Sequence, residues 1–161
     1  MLALRANFIA EGPNGKRAIS VDEFFHGFYM TALEPSEIIT EIQIPQAQKG
    51  SGSAYYKVER KVGDYATSGV AVALVLDDTG RCSQIGIGLT NVSTVPMRLS
   101  RAEELLSEQI ITDALIQEAG KIASEDCEPS SDLRGSEAYK RSVTDTLTQR
   151  MLNVALERAK Q

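Results

Sequence analysis

The stretch Gly69-Val70-Ala71-Val72-Ala73-Leu74-Val75-Leu76-Asp77-Asp78-Thr79-Gly80-Arg81-Cys82-Ser83-Gln84-Ile85-Gly86-Ile87-Gly88-Leu89-Thr90-Asn91 decides the fold. Gly69 to Asp77 and Arg81 to Asn91 read as strands, and Asp77-Asp78-Thr79-Gly80 is a compact hairpin turn between them. Val70 to Leu76 is apolar on both faces, which predicts a central strand covered by helices on at least one side. Ala54 to Lys61 supplies a third strand, and the three form an antiparallel meander. Val70 to Leu76 is also the longest apolar run in the chain. It is far shorter than the roughly 20 residues a helix needs to cross a bilayer, so no membrane span is predicted.

Downstream the period changes from two to about 3.6. Ser100 with Glu103 reads as a capping box, and Thr112-Asp113 opens a second helix whose Leu115, Ala119 and Ile122 share one side. After the breaker Glu128-Pro129-Ser130-Ser131, a longer helix is predicted from Ser136, with Tyr139, Val143, Leu147, Met151 and Val154 along its apolar stripe. Upstream, Leu2 to Ile9 and Lys16 to Val21 read as a hairpin around Glu11-Gly12-Pro13-Asn14-Gly15. Asp22 is expected to cap a helical turn that places Phe24, Phe25 and Phe28 on one side. A further strand ends at Pro45, which cannot donate to a sheet ladder. Gln46 to Ser53 is small and polar and reads as a connector between residues 1–45 and 54–161. The fold class is α+β: a small antiparallel sheet of three to four strands backed by about three helices, preceded by a short strand-rich segment.

The 161 residues carry 17 Lys+Arg against 22 Asp+Glu, a formal net charge of −5, and 42% are hydrophobic. Such a chain can bury an ordinary core without a metal or disulfide staple. Its interspersed charges lack the basic clustering that nucleic-acid phosphates require, so no nucleic-acid partner is expected. The N-terminus shows no secretory pattern, which points to the cytoplasm. Cys82 and Cys127 lie far apart in sequence with no second Cys or His beside them, and read as two reduced, partly buried thiols.

Self-sufficient catalytic chemistry is not visible. His26 sits among Phe24, Phe25, Phe28 and Tyr29 and reads as a partly buried structural imidazole. Nucleophile elbows, phosphate-binding loops and metal-ligand spacings are missing, so no catalytic and no metal-binding residue is assigned. Gly86-Ile87-Gly88 lies within an alternating strand and marks a bulge or close sheet packing. The unusual segment is Tyr55-Tyr56-Lys57-Val58-Glu59-Arg60-Lys61-Val62-Gly63-Asp64-Tyr65-Ala66, where aromatic rings and cations meet at the end of a strand and the start of a loop. That composition suits either a flat anionic or electron-poor ring system or a solvated edge strand guarded by charge.

A series of short motifs runs almost the length of the chain: Arg17-x-Ile19, Asp22-x-Phe24-Phe25, Thr31-x-Leu33-x-Pro35-x-Glu37-Ile38-Ile39 and Ile42-x-Ile44-Pro45. It continues through Ala54-Tyr55-Tyr56-Lys57-x-x-Arg60-Lys61-x-Gly63-Asp64-Tyr65-Ala66, Val70-Ala71-Val72-Ala73, Gly88 and Pro96-Met97-Arg98, with Glu103 or Glu104 following. It closes on Asp132-x-Arg134-Gly135-Ser136-x-x-Tyr139-Lys140-Arg141. In order and spacing this resembles the C-terminal part of the FAD-binding medium subunit of the molybdenum hydroxylases, the xanthine dehydrogenase and carbon monoxide dehydrogenase family. The family usually shows a second Arg where Lys61 stands and Tyr-Arg where Tyr139-Lys140 stands.

The resemblance implies an oxidoreductase component in which FAD takes electrons from iron-sulfur clusters and passes them to an external acceptor. Partners would be an iron-sulfur small subunit and a molybdenum large subunit, which carry the clusters and the molybdenum cofactor. Residues 1–45 would be the end of an FAD-binding domain and 54–161 a carbon monoxide dehydrogenase flavoprotein C-terminal-like domain. Ile39 would pack by the flavin, Lys57 would lie against the ring system, and Tyr65 with Asp64 would shield or stack near it. An ammonium near the pyrimidine end of the ring has a physical rationale, since it would stabilise negative charge there. The family's glycine-rich pyrophosphate loops lie in a half that precedes the matched region, so the chain alone is expected to bind FAD weakly or not at all. The alternative is a non-catalytic subunit-docking module, or a fragment that no longer binds FAD alone. Asp132, Arg134 and Tyr139 read as structural, with Ser136 starting the last helix and Arg134 or Arg141 bridging to acidic neighbours.

Overall fold

The computed structural model describes residues 1–161. Its first sheet holds β1 (Asn7–Gly12), β2 (Gly15–Ser20) and β5 (Ile38–Gln43) in the order β2-β1-β5, all antiparallel. Between β2 and β5 lies a two-stranded ribbon of β3 (Phe25–Gly27) and β4 (Met30–Thr31). Phe8, Ala10, Ile19, Val21 and Phe24 form a small core, with Phe8 and Phe24 ring centroids 4.3 Å apart.

The second sheet holds β6 (Ser51–Val58), β7 (Ser68–Leu76), β8 (Cys82–Thr90) and the short β9 (Met97–Arg98) in that order. The expected meander is present: Tyr56 pairs with Val70, Val72 with Ile87 and Gly88 with Arg98. Helices α1 (Ser100–Leu106), α2 (Asp113–Asp126) and α3 (Glu137–Ala159) cover one face. Val70, Val72, Leu74, Ile85, Ile87 and Leu89 point into that layer and meet Leu106, Ile116, Ala119, Leu152 and Ala155. Burial of this apolar surface is the main stabilising term of the fold. At Gly52 the helix lies so close that a Cβ would strike the Ala155 carbonyl of α3.

The opposite face of the sheet is built of small residues. Across it run the rows Ser51–Val75–Gln84, Ser53–Ala73–Gly86, Tyr55–Ala71–Gly88 and Lys57–Gly69–Thr90. The N-terminal turn seats on this face: Ala3 packs over Gly86, where a Cβ would collide with the Ala3 carbonyl, and Leu2 packs over Gly88. Gly86 and Gly88 therefore mark close packing, as their pattern suggested. Arg5 fixes the seat by donating from Nη2 to the Ile85 carbonyl at 2.9 Å, and Arg98 joins the lobes through Asp22 at 2.9 Å. A cleft of about 270 Å³ remains between Ile44–Gln48 and the sheet.

Several local expectations are corrected. Leu2–Leu4 is a 3-10 turn rather than the start of a strand, because Leu2 and Ala3 are buried against β8 and Arg5 then takes a left-handed conformation at φ 50°. The turn Val21–Glu23 is capped by Ser20, not Asp22. It ends at once in β3, so Phe28 is 71% exposed and only Phe24 and Phe25 join Phe8. His26 is exposed, with Nε2 3.0 Å from the Glu23 carbonyl. Strand β6 begins at Ser51 and ends at Val58, so the connector is shorter than expected and Arg60-Lys61 lie in a turn.

Ser100 and Glu103 do not form a capping box. Glu103 is buried and accepts from the Ile87 amide at 2.8 Å and from Arg98. The buried face of α3 is Lys140, Thr144, Leu147, Thr148, Met151 and Leu152, rotated from the apolar stripe so that Tyr139 is half-exposed. Thr112 and Ser136 do cap α2 and α3, accepting from Leu115 and Tyr139. Cys82 and Cys127 are free and buried.

Candidate functional site

Strand alternation puts Tyr55 and Lys57 on the small-residue face, beyond the end of the lobe-junction cleft. Gly69 lies opposite Lys57 and leaves room for its stem. The ammonium reaches forward to the loop: Nζ lies 2.6 Å from Glu59 Oε2 and donates to the Asp64 carbonyl at 3.4 Å. The Glu59 oxygen is buried, and at 2.6 Å it forms a close charge-assisted contact with the ammonium. Glu59 beside it raises the Lys57 pKa, keeping the cation charged well above neutrality.

The loop then turns through Gly63, at φ +87°, to Asp64 and Tyr65. Asp64 Oδ1 accepts from the Tyr65 amide at 2.8 Å and from Arg134 Nη2 at 3.2 Å, while Oδ2 lies 3.4 Å from Arg60. The Arg134 hydrogen bond, followed by the Tyr65 amide, holds the Asp64 carboxyl below the usual range. Tyr65 is 76% exposed, and the Arg134 guanidinium carbon stands over its ring 5.5 Å from the centroid.

Lys57, Asp64 and Tyr65 are thus brought together. Ile39 is not joined to them: it lies on β5, paired with Ala10 of β1, and is 38% exposed. Sequence reasoning assigned Arg134 a structural bridge, and the structure places that bridge on Asp64 and Tyr65 themselves. Only the Asp132-x-Arg134-Gly135 motif signalled it, because 69 positions separate Arg134 from Tyr65. No three His, Cys, Asp or Glu side chains are grouped to hold a metal ion. No helix is long and apolar enough to cross a membrane.

Chemically the cluster offers a cation held by one carboxylate, an exposed aromatic ring, and a loop whose conformation is set by charge-assisted contacts. This donor set fits a flavin ring system, with an ammonium for the electron-rich edge and a ring for a face. The strand glycines Gly86 and Gly52 leave no space for a ligand, being filled by Ala3 and Ala155 of the chain itself.

Residues 53–155 match the family described as "CO dehydrogenase flavoprotein C-terminal domain", and residues 1–47 match "FAD binding domain in molybdopterin dehydrogenase". The carbon monoxide dehydrogenase medium chain of Hydrogenophaga pseudoflava is 41% identical over 158 residues, covering 98% of this chain and 54% of that one. The corresponding chain of Afipia carboxidovorans is 36% identical over 160 residues, covering 99% and 55%. A solved structure of the Hydrogenophaga pseudoflava enzyme, in a form lacking the Mo-pyranopterin moiety of the molybdenum cofactor, superposes with a TM-score of 0.93 at 42% identity, over 98% of this chain and 54% of that one. The chain spans about half the length of the curated relatives it matches.

Proposed function

This chain belongs to the CO dehydrogenase flavoprotein family, and from that premise we propose that it is the flavin-side component of a molybdenum-containing hydroxylase. When bound, FAD supplies a redox group that takes electrons from iron-sulfur centres and yields them to an external acceptor. Lys57 holds a permanent positive charge at the ring edge. Tyr65 offers an exposed ring to stack on or shield the flavin, Asp64 fixes the backbone that presents it, and Ile39 contributes an apolar contact from the first sheet. The oxidation of the small-molecule substrate belongs to a molybdenum large subunit, and the clusters to an iron-sulfur small subunit. The division at Gln46–Ser53 into an FAD-binding segment and a C-terminal domain is part of the same reading. So is a cytoplasmic setting, in which Cys82 and Cys127 stay reduced.

The observation that carries the proposal is the convergence of Lys57, Asp64 and Tyr65 at one end of the small-residue face. Weak or absent flavin retention by the chain alone is part of the same reading, since backbone N–H groups of glycine-rich loops ordinarily grip a pyrophosphate. The visible spectrum of the purified chain is the first test: stoichiometric bound flavin would refute weak retention. The second supplies the family's pyrophosphate-binding half in trans with FAD. Flavin retained only with both pieces supports the proposed role, and none retained favours the non-catalytic docking module.

A further inference from the structure

We propose that Arg134 is the positioning residue of the Glu59–Ala66 loop, setting the face that Tyr65 presents; this rests on the reading of Tyr65 as a flavin contact. One guanidinium makes three contacts with two consecutive loop residues. Nη2 bonds Asp64 Oδ1 at 3.2 Å, Nε donates to the Tyr65 carbonyl at 3.3 Å, and the carbon stands 5.5 Å from the Tyr65 ring centroid. The loop's other hydrogen bonds and ion pairs stay within itself or return to Lys57 of its own strand. Arg134 is therefore the polar tether from the loop to the helical layer.

The tether is seated from below. Asp132 and Gly135 close a tight turn through reciprocal backbone bonds of 3.1 and 3.2 Å, and Asp132 Oδ1 accepts from the Arg134 amide at 2.8 Å. Asp132 Oδ2 lies 2.9 Å from Lys140 Nζ, and Lys140 is 4% exposed on the inner face of α3. Lys140 also donates to the Ser130 carbonyl at 2.8 Å. A continuous polar chain thus runs from α3 through Asp132 and Arg134 to the loop tip. The planar fork suits this role: a lysine could meet the Asp64 carboxylate but could not also bond the carbonyl and lie over the ring. With the guanidinium against one face, the exposed Tyr65 ring keeps its other face available for stacking.

Hydrogen exchange on the full chain tests the tether without flavin. In Arg134→Ala the amides of residues 61–66 are expected to exchange about ten-fold faster while those of β7 and α3 are unchanged. Asp64→Asn should reproduce the effect from the other side, and Arg134→Lys should fall between. Loop exchange unchanged in both Arg134→Ala and Asp64→Asn overturns the proposal. The second readout is flavin fluorescence in the complex formed with the pyrophosphate-binding half. There Arg134→Ala is expected to shift the signal in the same sense as Tyr65→Ala. A signal moved by Tyr65→Ala but untouched by Arg134→Ala also overturns the proposal. If neither variant moves the flavin signal while loop exchange accelerates, the assignment of Arg134 to the loop stands and the reading of Tyr65 as a ring contact fails.

Discussion

Arg98 and Glu103 form a forked ion pair at the start of α1, with Nε and Nη2 2.8 and 2.6 Å from Oε2. The Glu103 side chain is 6% exposed, and its other oxygen takes the Ile87 amide of β8 at 2.8 Å. Arg98 extends the contact to Asp22 of the first lobe, and Arg5 lies 3.7 Å from the same carboxylate. Removing the carboxylate leaves the Ile87 amide without its acceptor and the half-buried guanidinium with Asp22 alone. Glu103→Ala is expected to cost about 3–5 kcal/mol, read by urea denaturation. A cost below about 1 kcal/mol would show that the pair is no more than a surface contact.

That pair also shows what the sequence could and could not disclose. Ser100 and Glu103 have capping-box spacing, yet Glu103 is claimed by Arg98 from β9, a contact that depends on sheet order. The same holds for α3, where the stripe Tyr139, Val143, Leu147, Met151 and Val154 places only Leu147 and Met151 in the buried face. The helix turns instead to bury Lys140 and Thr144, which find Ser130, Asp132 and Ser68 as partners. Local signals read well: the two-faced apolar run of β7, the Asp77–Gly80 turn, and the Thr112 and Ser136 caps. At the site, Lys57, Asp64 and Tyr65 lie close in sequence and were legible together. Arg134 reads as a bridge to an acidic neighbour, but that its partner is Asp64 was not legible, because the bridge is a tertiary contact between two loops.

Gly86 sits where Ala3 crosses the sheet. A methyl group there would meet backbone, which cannot rotate away. Gly86→Ala is expected to destabilise the chain by about 1–3 kcal/mol through loss of the N-terminal turn's seat. At Gly88 the nearest atom is Leu2 Cβ at 3.2 Å, a tight contact rather than a collision, so Gly88→Ala should cost less. Parallel denaturation curves of the two variants check the order, and equal costs would contradict it.

Arg17 grips Glu37 with Nε and Nη2 at 2.8 and 2.7 Å, and the Glu34 amide adds a third bond at 2.8 Å. These contacts, the Arg17 bond foremost, lower the Glu37 pKa to about 2. Because the folded value lies below the unfolded one, the stability it contributes is present above pH ~4.3 and lost as pH falls towards 2. Melting curves of wild type and Arg17→Met should therefore differ at neutral pH and converge across that acid window. A difference independent of pH would exclude the linkage.

Burial pushes the Cys82 thiol up to about 11, and burial likewise raises Cys127. Thiolate is the reactive form, so both cysteines should resist a disulfide reagent in the native state and react freely once unfolded. The expected slowing is on the order of a hundred-fold or more for the native chain, followed by release of both thiols in urea. Rapid labelling of Cys82 in the native chain would contradict its placement in the core.

Lys57 and Glu59 make opposite contributions at the candidate site. On the proposed reading the ammonium would supply positive charge near the ring, and the carboxylate 2.6 Å away both holds it and partly cancels it. In the complex with the pyrophosphate-binding half, Lys57→Met should weaken flavin retention roughly ten-fold, the scale of one charge-assisted contact. Glu59→Gln should leave retention intact but expose the flavin to an uncancelled cation, raising its two-electron midpoint potential by about 30 mV, a ten-fold shift in the redox equilibrium. Lys57→Met should move the potential the other way. A potential that shifts in the same direction in both variants would remove electrostatics from the site and leave Lys57 as a packing residue of the strand end.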